Sequence, residues 1–409
     1  MSKSPLKDTL VFEPIQVGDV TLSNRIVYCP TTRFRAAKSP NEIGAHLPSD
    51  LMLEYYSQRA QYPGTLLVTE ATFVSRGAGG YDGIPAIATE EETKAWKKIV
   101  DAVHAKKSFI SLQAWFLGRV ADARILKKEG QKYVAPSVIY PDGRTKHLSE
   151  KAGLPLTELS IPEIHDLIHK DYAIAAKNAM SAGFDFFEIH FAHGYLPDSF
   201  LHESSNQRTD KYGGTIENRA RFGLELIDHL STIIPPSKLA IRLSPWAEIQ
   251  GIYEETSPIP QFSYFLDQLQ KRANNGQELG YVSVVEPRVQ GVVTADLEDM
   301  KGSNQFVEEV WKGITLRAGN YTYDAPEFKQ IKEDVSNGRT LVGFSRYFIS
   351  NPDLVSKLKN DPSSLVKYNR ELFYQPYNWG YNTYDGKDYD EDTEKKRVAK
   401  PIQRSEVNL

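Results

Sequence analysis

Eight short apolar runs, each followed by a charged stretch of helical spacing, constrain the fold of this chain more than any other feature of its sequence. The runs occupy residues 25–29, 65–69, 109–115, 184–190, 239–244, 281–286, 314–318 and 340–344. Between and after them lie 51–61, 90–106, 161–182, 216–234, 261–275, 306–312, 325–336 and 352–359, where apolar residues return every three or four positions. In 161–182 the stripe is Ile164, Ile168, Tyr172, Ala175 and Ala179; Ser160 and Pro162 open it and Gly183 closes it, the usual start and stop signals of a helix. Eight strands alternating with eight helices predict a parallel (β/α)8 barrel, α/β in class, with a doubly wound open sheet as the alternative. At 409 residues, 40% of them hydrophobic, the chain can fill one large barrel. The expected organisation is a barrel over residues 1–375 and a polar extension over 376–409. Residues 385–400 hold six acids and five bases among sixteen and read as a solvated tail. The long connection 117–158 is expected above the barrel, not as a domain of its own.

Charge and cysteine content narrow the function class. Lys plus Arg is 49 and Asp plus Glu is 53, a formal charge of −4, which speaks against nucleic acid or another polyanion as the main partner. No apolar run approaches the roughly 20 residues of a membrane span, so no membrane partner is expected. The N-terminal residues have no apolar segment, and Cys29 is the sole cysteine. A reducing, cytoplasmic location is therefore expected. Cys29 itself reads as a packed small hydrophobe rather than a nucleophile. Gly77-Ala78-Gly79-Gly80 fails as a dinucleotide fingerprint, since Asp82 stands where a third glycine is required.

In such a barrel the chemistry sits at the C-terminal ends of the strands. The residues there are Pro30, Thr31 and Thr32 after the first run, Ala71 after the second, and Gln113 with Trp115 in the third. The fourth ends in His190-Phe191-Ala192-His193-Gly194-Tyr195 and the fifth carries Arg242. The seventh and eighth end in Gly319-Asn320 and Phe344-Ser345-Arg346, where barrels often bind a phosphate: glycine permits close backbone approach and arginine offers a bidentate fork. Two imidazoles three residues apart, followed by a phenol, can supply two donors to one oxygen and one weak acid. His-x-x-His is also a metal-binding spacing, but no third ligand stands at a matching interval, and no metal is expected.

Several blocks resemble a known family. They are Phe12-Glu13-Pro14-Ile15-Gln16-Val17-Gly18, Asn24-Arg25-Ile26-Val27, Pro30-Thr31-Thr32-Arg33-Phe34-Arg35-Ala36 and Tyr55-Tyr56-Ser57-Gln58-Arg59-Ala60. The most specific are His190–Leu196 and Asn206-Gln207-Arg208-Thr209-Asp210-Lys211-Tyr212-Gly213-Gly214-Thr215-Ile216-Glu217-Asn218-Arg219. Together they resemble the Old Yellow Enzyme family, in its yeast branch, over roughly residues 10 to 375. The resemblance implies a (β/α)8 barrel with non-covalent FMN at the strand ends, NADPH as reductant, and reduction of the C=C bond of α,β-unsaturated aldehydes, ketones and related alkenes. It implies that Thr32, Gln113 and Arg242 hold the flavin ring, with Pro30, Thr31 and Ala71 beside it. Gly319, Asn320, Ser345 and Arg346 would hold its phosphate, with Phe344 also against the cofactor. His190 and His193 would grip the substrate carbonyl, Tyr195 would donate the proton, and Trp115 and Tyr374 would line the pocket. Small activated alkenes and phenolic ligands are the implied partners, and a homodimer is left open. The His-His pair stands where many yeast members have His-Asn. The loop 289–293 lacks the aromatic lid often found there.

Overall fold

A computed structural model describes residues 4–253, 256–291, 293–294 and 300–402. Val292 of the loop noted above and the end of the polar extension, 403–409, lie outside the described residues. The expected barrel is present. Its strands are β1 (Ile26–Tyr28), β2 (Leu66–Phe73), β3 (Phe109–Trp115), β4 (Phe186–Phe191), β5 (Leu239–Leu243), β6 (Tyr281–Val285), β7 (Thr315–Ala318) and β8 (Thr340–Phe344). Each pairs in parallel with its neighbours in chain order, and β8 pairs with β1 to close the ring. The helices that follow them are α1 (Asp50–Arg59), α2 (Glu90–Ala105), α3 (161–182), α4 (Ile216–Ser231), α5 (Ile259–Asn274), α6 (Gln305–Val310), α7 (Lys329–Val335) and α8 (Leu354–Asn360). Among the described residues no helix is long and apolar enough to cross a membrane.

Strands buried on both faces read as continuous apolar runs, and every residue of β2, β4, β5, β6 and β8 is buried. One face packs on the helices. The other fills the barrel, whose floor is apolar: Val27, Leu66, Val68, Phe186, Ala240, Tyr281, Leu316 and Leu341 form one cluster. The hairpin Ile15–Val17/Val20–Leu22 plugs the floor from below, its Ile15, Val17 and Leu22 joining that cluster. Period-two alternation then carries the inward positions upward from apolar to polar. Phe186 is followed by Glu188 and His190, Ala240 by Arg242, and Ser111 by Gln113 and Trp115, with Glu188 opposite Gln113 and His190 opposite Arg242 in register.

Departures from the sequence reading occur at element ends. Strand β2 runs on to Phe73 through a bulge between Val68 and Ala71, which lets Thr69 Oγ1 accept the Gln113 N–H at 3.0 Å. Helix α3 starts at a Ser160–Glu163 capping box and contains a π-helical turn, Leu167–Tyr172, that apolar spacing does not show. Strand β4 begins at Phe186, because Gly183 ends α3 in a left-handed conformation and the next two residues make the turn. The connection 117–158 forms the short helices Ala123–Lys128 and Gly143–Ala152 and the paired strands Val134–Ala135 and Thr157–Glu158.

The stretch read as a solvated tail, 385–400, is exposed or half-buried but anchored at both ends. Residues 385–397 are mostly exposed, yet Asp390 caps the helix Glu391–Lys396 and the chain on both sides is docked. Asn378, Tyr381 and Asn382 are fully buried. Tyr377 bridges to Val398 and Ser49 to Pro401, while Asp50 donates its N–H to the Lys400 carbonyl at 2.9 Å.

Candidate active site

A cavity of about 1220 Å³ opens at the C-terminal ends of the strands. It exceeds the roughly 300–1,000 Å³ usual for a single small-molecule site, leaving room for a cofactor together with a substrate. Each of the sixteen site residues named from the sequence lines it: Pro30, Thr31, Thr32, Ala71, Gln113, Trp115, His190, His193, Tyr195, Arg242, Gly319, Asn320, Phe344, Ser345, Arg346 and Tyr374.

The histidine pair is built by the end of β4. His190 is still in the strand, its ring aimed inward beside Arg242. Three residues on, the backbone turns over: His193 has φ +60° and Gly194 φ +76°. Residues other than glycine rarely hold such a conformation without support. Here the His193 N–H donates to Ser244 Oγ at 2.8 Å and the Gly194 N–H to Asp198 Oδ2 at 2.7 Å, with His202 Nε2 3.1 Å from the other Asp198 oxygen. The turn brings the two rings to 5.8 Å between centroids at 69°. His190 Nδ1 and His193 Nε2 are buried and have no hydrogen-bond partner. Such orphaned groups are costly, and in a cavity wall they mark where a ligand atom belongs.

Burial, and behind it the positive charge of Arg242, push the His190 imidazole well below its ordinary range and His193 down to about 3. Both shifts run downward, so the range from pH 5 to 8 lies on the neutral side of each ring, where one nitrogen carries hydrogen and can donate. Affinity for a phenol that does not itself ionise in that range should therefore show no histidine break between pH 5 and 8. An inflection near 6.5 that vanishes in His193→Ala would contradict this, and a fluorescence titration measures it.

Tyr195 stands edge-on to Trp115 at 4.8 Å and 4.9 Å from the His190 ring. Burial raises its hydroxyl above the ordinary phenol range, so it keeps its proton at any physiological pH. On the floor beside it, Arg242 Nε has no partner, and Gln113 Nε2 donates to Glu188 Oε1 at 2.6 Å. Across the cavity Gly343 packs so closely that a Cβ there would lie 2.3 Å from Cys29 Sγ, and one on Gly319 would lie 2.6 Å from Glu286 Cβ. Backbone thus reaches the cavity where no larger residue would fit. Asn320 follows at φ +50°, and Arg346 lies over the Tyr368 ring at 5.3 Å with no carboxylate partner among the described residues. Burial pushes the Cys29 thiol up to about 12, which leaves it inert, as its packing suggested.

A family model described as the NADH:flavin oxidoreductase / NADH oxidase family matches residues 10–363. A "Probable NADPH dehydrogenase" of Candida albicans is 51% identical over 401 residues, 98% of this chain and 95% of that protein. "Enoate reductase 1" of Kluyveromyces lactis is 41% identical over 386 residues, 93% of this chain and 94% of that protein. The crystal structure of Old Yellow Enzyme from Pichia sp. AKU4542 superposes with a TM-score of 0.89 at 42% identity, covering 98% of this chain and all of that one. The chain belongs to the Old Yellow Enzyme family. It is a flavin oxidoreductase with the barrel of that family.

Within this family member, sequence reasoning overlooked the residues that hold the rim. Arg33 and Arg35 follow β1 and are fully buried. Arg33 donates to the Phe373 and Gly380 carbonyls, both at 2.8 Å, and Arg35 to those of Phe373 at 2.5 Å and Tyr377 at 3.1 Å. They clamp the segment that carries Tyr374, whose ring meets Phe34 edge-on at 5.5 Å. Val398 and Ala399 complete the same wall. Two arginines in an apolar neighbourhood were a visible signal; their carbonyl partners, some 340 residues away, were not. Glu188 was overlooked for the same reason.

Proposed function

We propose that the chain is an FMN-dependent, NADPH-consuming ene-reductase that reduces the activated C=C bond of α,β-unsaturated aldehydes, ketones and related alkenes. The observation that carries this reading is the pair of unpartnered buried imidazole nitrogens next to a protonated tyrosine, in a cavity large enough for a flavin and a substrate. The residues present fit FMN. Arg346, Ser345, Asn320 and Gly319 would hold its phosphate, while Thr32, Gln113 and Arg242 would hold the ring, with Pro30, Thr31, Ala71 and Phe344 around it. Bound there, FMN supplies two-electron chemistry between NADPH and the alkene.

The protein's own contribution follows from charge. An isolated alkene resists hydride, whereas an enone accepts it if negative charge can build on its oxygen. His190 and His193 donate to that oxygen from fixed positions in a water-poor site, stabilising the enolate as it forms. Tyr195 then gives its proton to the α-carbon, so the product gains one hydride and one proton. Arg242, whose Nε is free, offsets negative charge on the cofactor side. Trp115 and Tyr374 form walls that orient the alkene.

The purified protein is expected to be yellow, to release FMN on heating, and to oxidise NADPH anaerobically faster when a cyclic enone is added. Phenol binding without enone-stimulated turnover would make it a flavoprotein binder instead of an enzyme; a colourless protein that gains nothing from FMN would end the reading. Arg346→Ala removes the guanidinium from the phosphate end and should weaken FMN binding by about 10–100-fold, a loss of about 1.5–3 kcal/mol for hydrogen bonds to a charged group. Equilibrium dialysis of the apoprotein checks this, and unchanged affinity would move the phosphate elsewhere.

A further inference from the structure

Glu188 lies in the barrel interior on the same face of β4 as His190, fully buried, and the chemistry above leaves it without a task. Its Oε1 accepts the Gln113 Nε2–H at 2.6 Å, across the β3–β4 pairing that sets the two residues opposite each other. Its Oε2 has no hydrogen-bond partner. Arg242 on β5 and Cys29 after β1 are its charged and titratable neighbours, with Tyr281 on β6, whose hydroxyl donates to Ser111 Oγ at 2.9 Å.

A buried carboxylate costs more than an apolar residue of the same size, so its presence calls for a reason. The two ends of a glutamine amide are alike in shape and opposite in chemistry: one donates, the other accepts. Shape alone would let either end of Gln113 face the cavity. In the structure the end that meets Glu188 is the NH2 end, which donates to Oε1. Burial pushes this carboxyl above its ordinary range, and Arg242 and the Gln113 N–H act against that rise by favouring the acceptor form. The carbonyl oxygen is left for the cavity that Gln113 lines.

We propose that Glu188 is a positioning residue: it holds the Gln113 carboxamide with its oxygen toward the cavity, so that the site offers an acceptor to an imide N–H and selects the uracil-like edge of a flavin. The inference rests on the FMN reading above. It assigns Glu188 an effect exerted through Gln113 and not through its charge.

The test uses the full chain loaded with FMN, as parent, Glu188→Gln, Gln113→Leu and the double variant. The readouts are the FMN dissociation constant and the two-electron midpoint potential. Glu188→Gln is nearly isosteric but can donate as well as accept, so the Gln113 amide loses its preferred direction. FMN should bind about tenfold more weakly. The imide is most acidic when the ring is oxidised, so the preference for oxidised over reduced FMN should also fall about tenfold, an upward shift of about 30 mV. Gln113→Leu should produce both changes by itself, and adding Glu188→Gln to it should change little, because the two positions act as one unit. Additive effects, or no effect of Glu188→Gln, would overturn the inference while leaving the FMN reading intact. A parent protein that takes up no FMN would overturn the reading instead. A measurement without any substitution stands beside these: the parent should hold FMN at least tenfold tighter than 3-methyl-FMN, and equal affinity would refute an acceptor at that edge.

Discussion

Tyr195→Phe is expected to slow alkene reduction by about 10²–10⁴-fold, the range for a lost general acid, while leaving reduction by NADPH almost unchanged. The substitution keeps the ring edge-on to Trp115 and beside His190, so fold and FMN content should survive. Only the hydroxyl is lost, and burial keeps that hydroxyl protonated in the parent. The half-reaction with NADPH needs no proton from this side of the cavity. Nitroalkenes should suffer least in the hydride step, because the anion they form is stable without immediate protonation. Stopped-flow traces of the two half-reactions decide the matter. Equal slowing of both would make Tyr195 a residue that positions ligands, and its role as acid would have to be given up.

His193→Ala should lower the rate of enone reduction by about 10²–10³-fold, equivalent to about 2.7–4 kcal/mol, the loss seen when one oxyanion donor is removed. Phenol affinity should fall by a smaller amount, about 1–3 kcal/mol, the cost of one donor to a charged oxygen. The difference in size is itself diagnostic. A donor aimed at developing charge affects the rate more than it affects ground-state binding. The His190→Ala/His193→Ala pair should lose the long-wavelength charge-transfer band that a phenolate gives over a flavin. Phenol binding as tight as that of the parent in this double variant would show that the two rings serve only packing and the neighbouring turn. Because both imidazoles are neutral above the acid range, these losses should be the same at pH 6 and pH 8.

The barrel and its chemical rim were legible in residue identity and spacing. Strands buried on both faces must be apolar along their whole length, and helices on a barrel must be apolar on one stripe, so the eight-fold alternation was written in residue identity. The ends of those runs were then the C-terminal ends of the strands. Every candidate site residue named there lines one cavity. Local signals such as the Ser160–Glu163 capping box and Gly183 were legible for the same reason: each acts within a few residues of itself.

Features invisible in the sequence have their cause in contacts between distant segments. The bulge in β2 and the left-handed backbone at His193 go with contacts to other elements: Thr69 with Gln113 and Ser244 with His193. The segment after Tyr374 reads as polar, yet Asn378, Tyr381 and Asn382 are buried, its backbone carbonyls are gripped by Arg33 and Arg35, and its far end pairs with Ser49 and Asp50. Side-chain polarity cannot report a bond made to the main chain. Likewise the charge beneath the cavity, Glu188 against Gln113 beside Arg242, depends on β3, β4 and β5 standing next to one another in register, which no local spacing encodes.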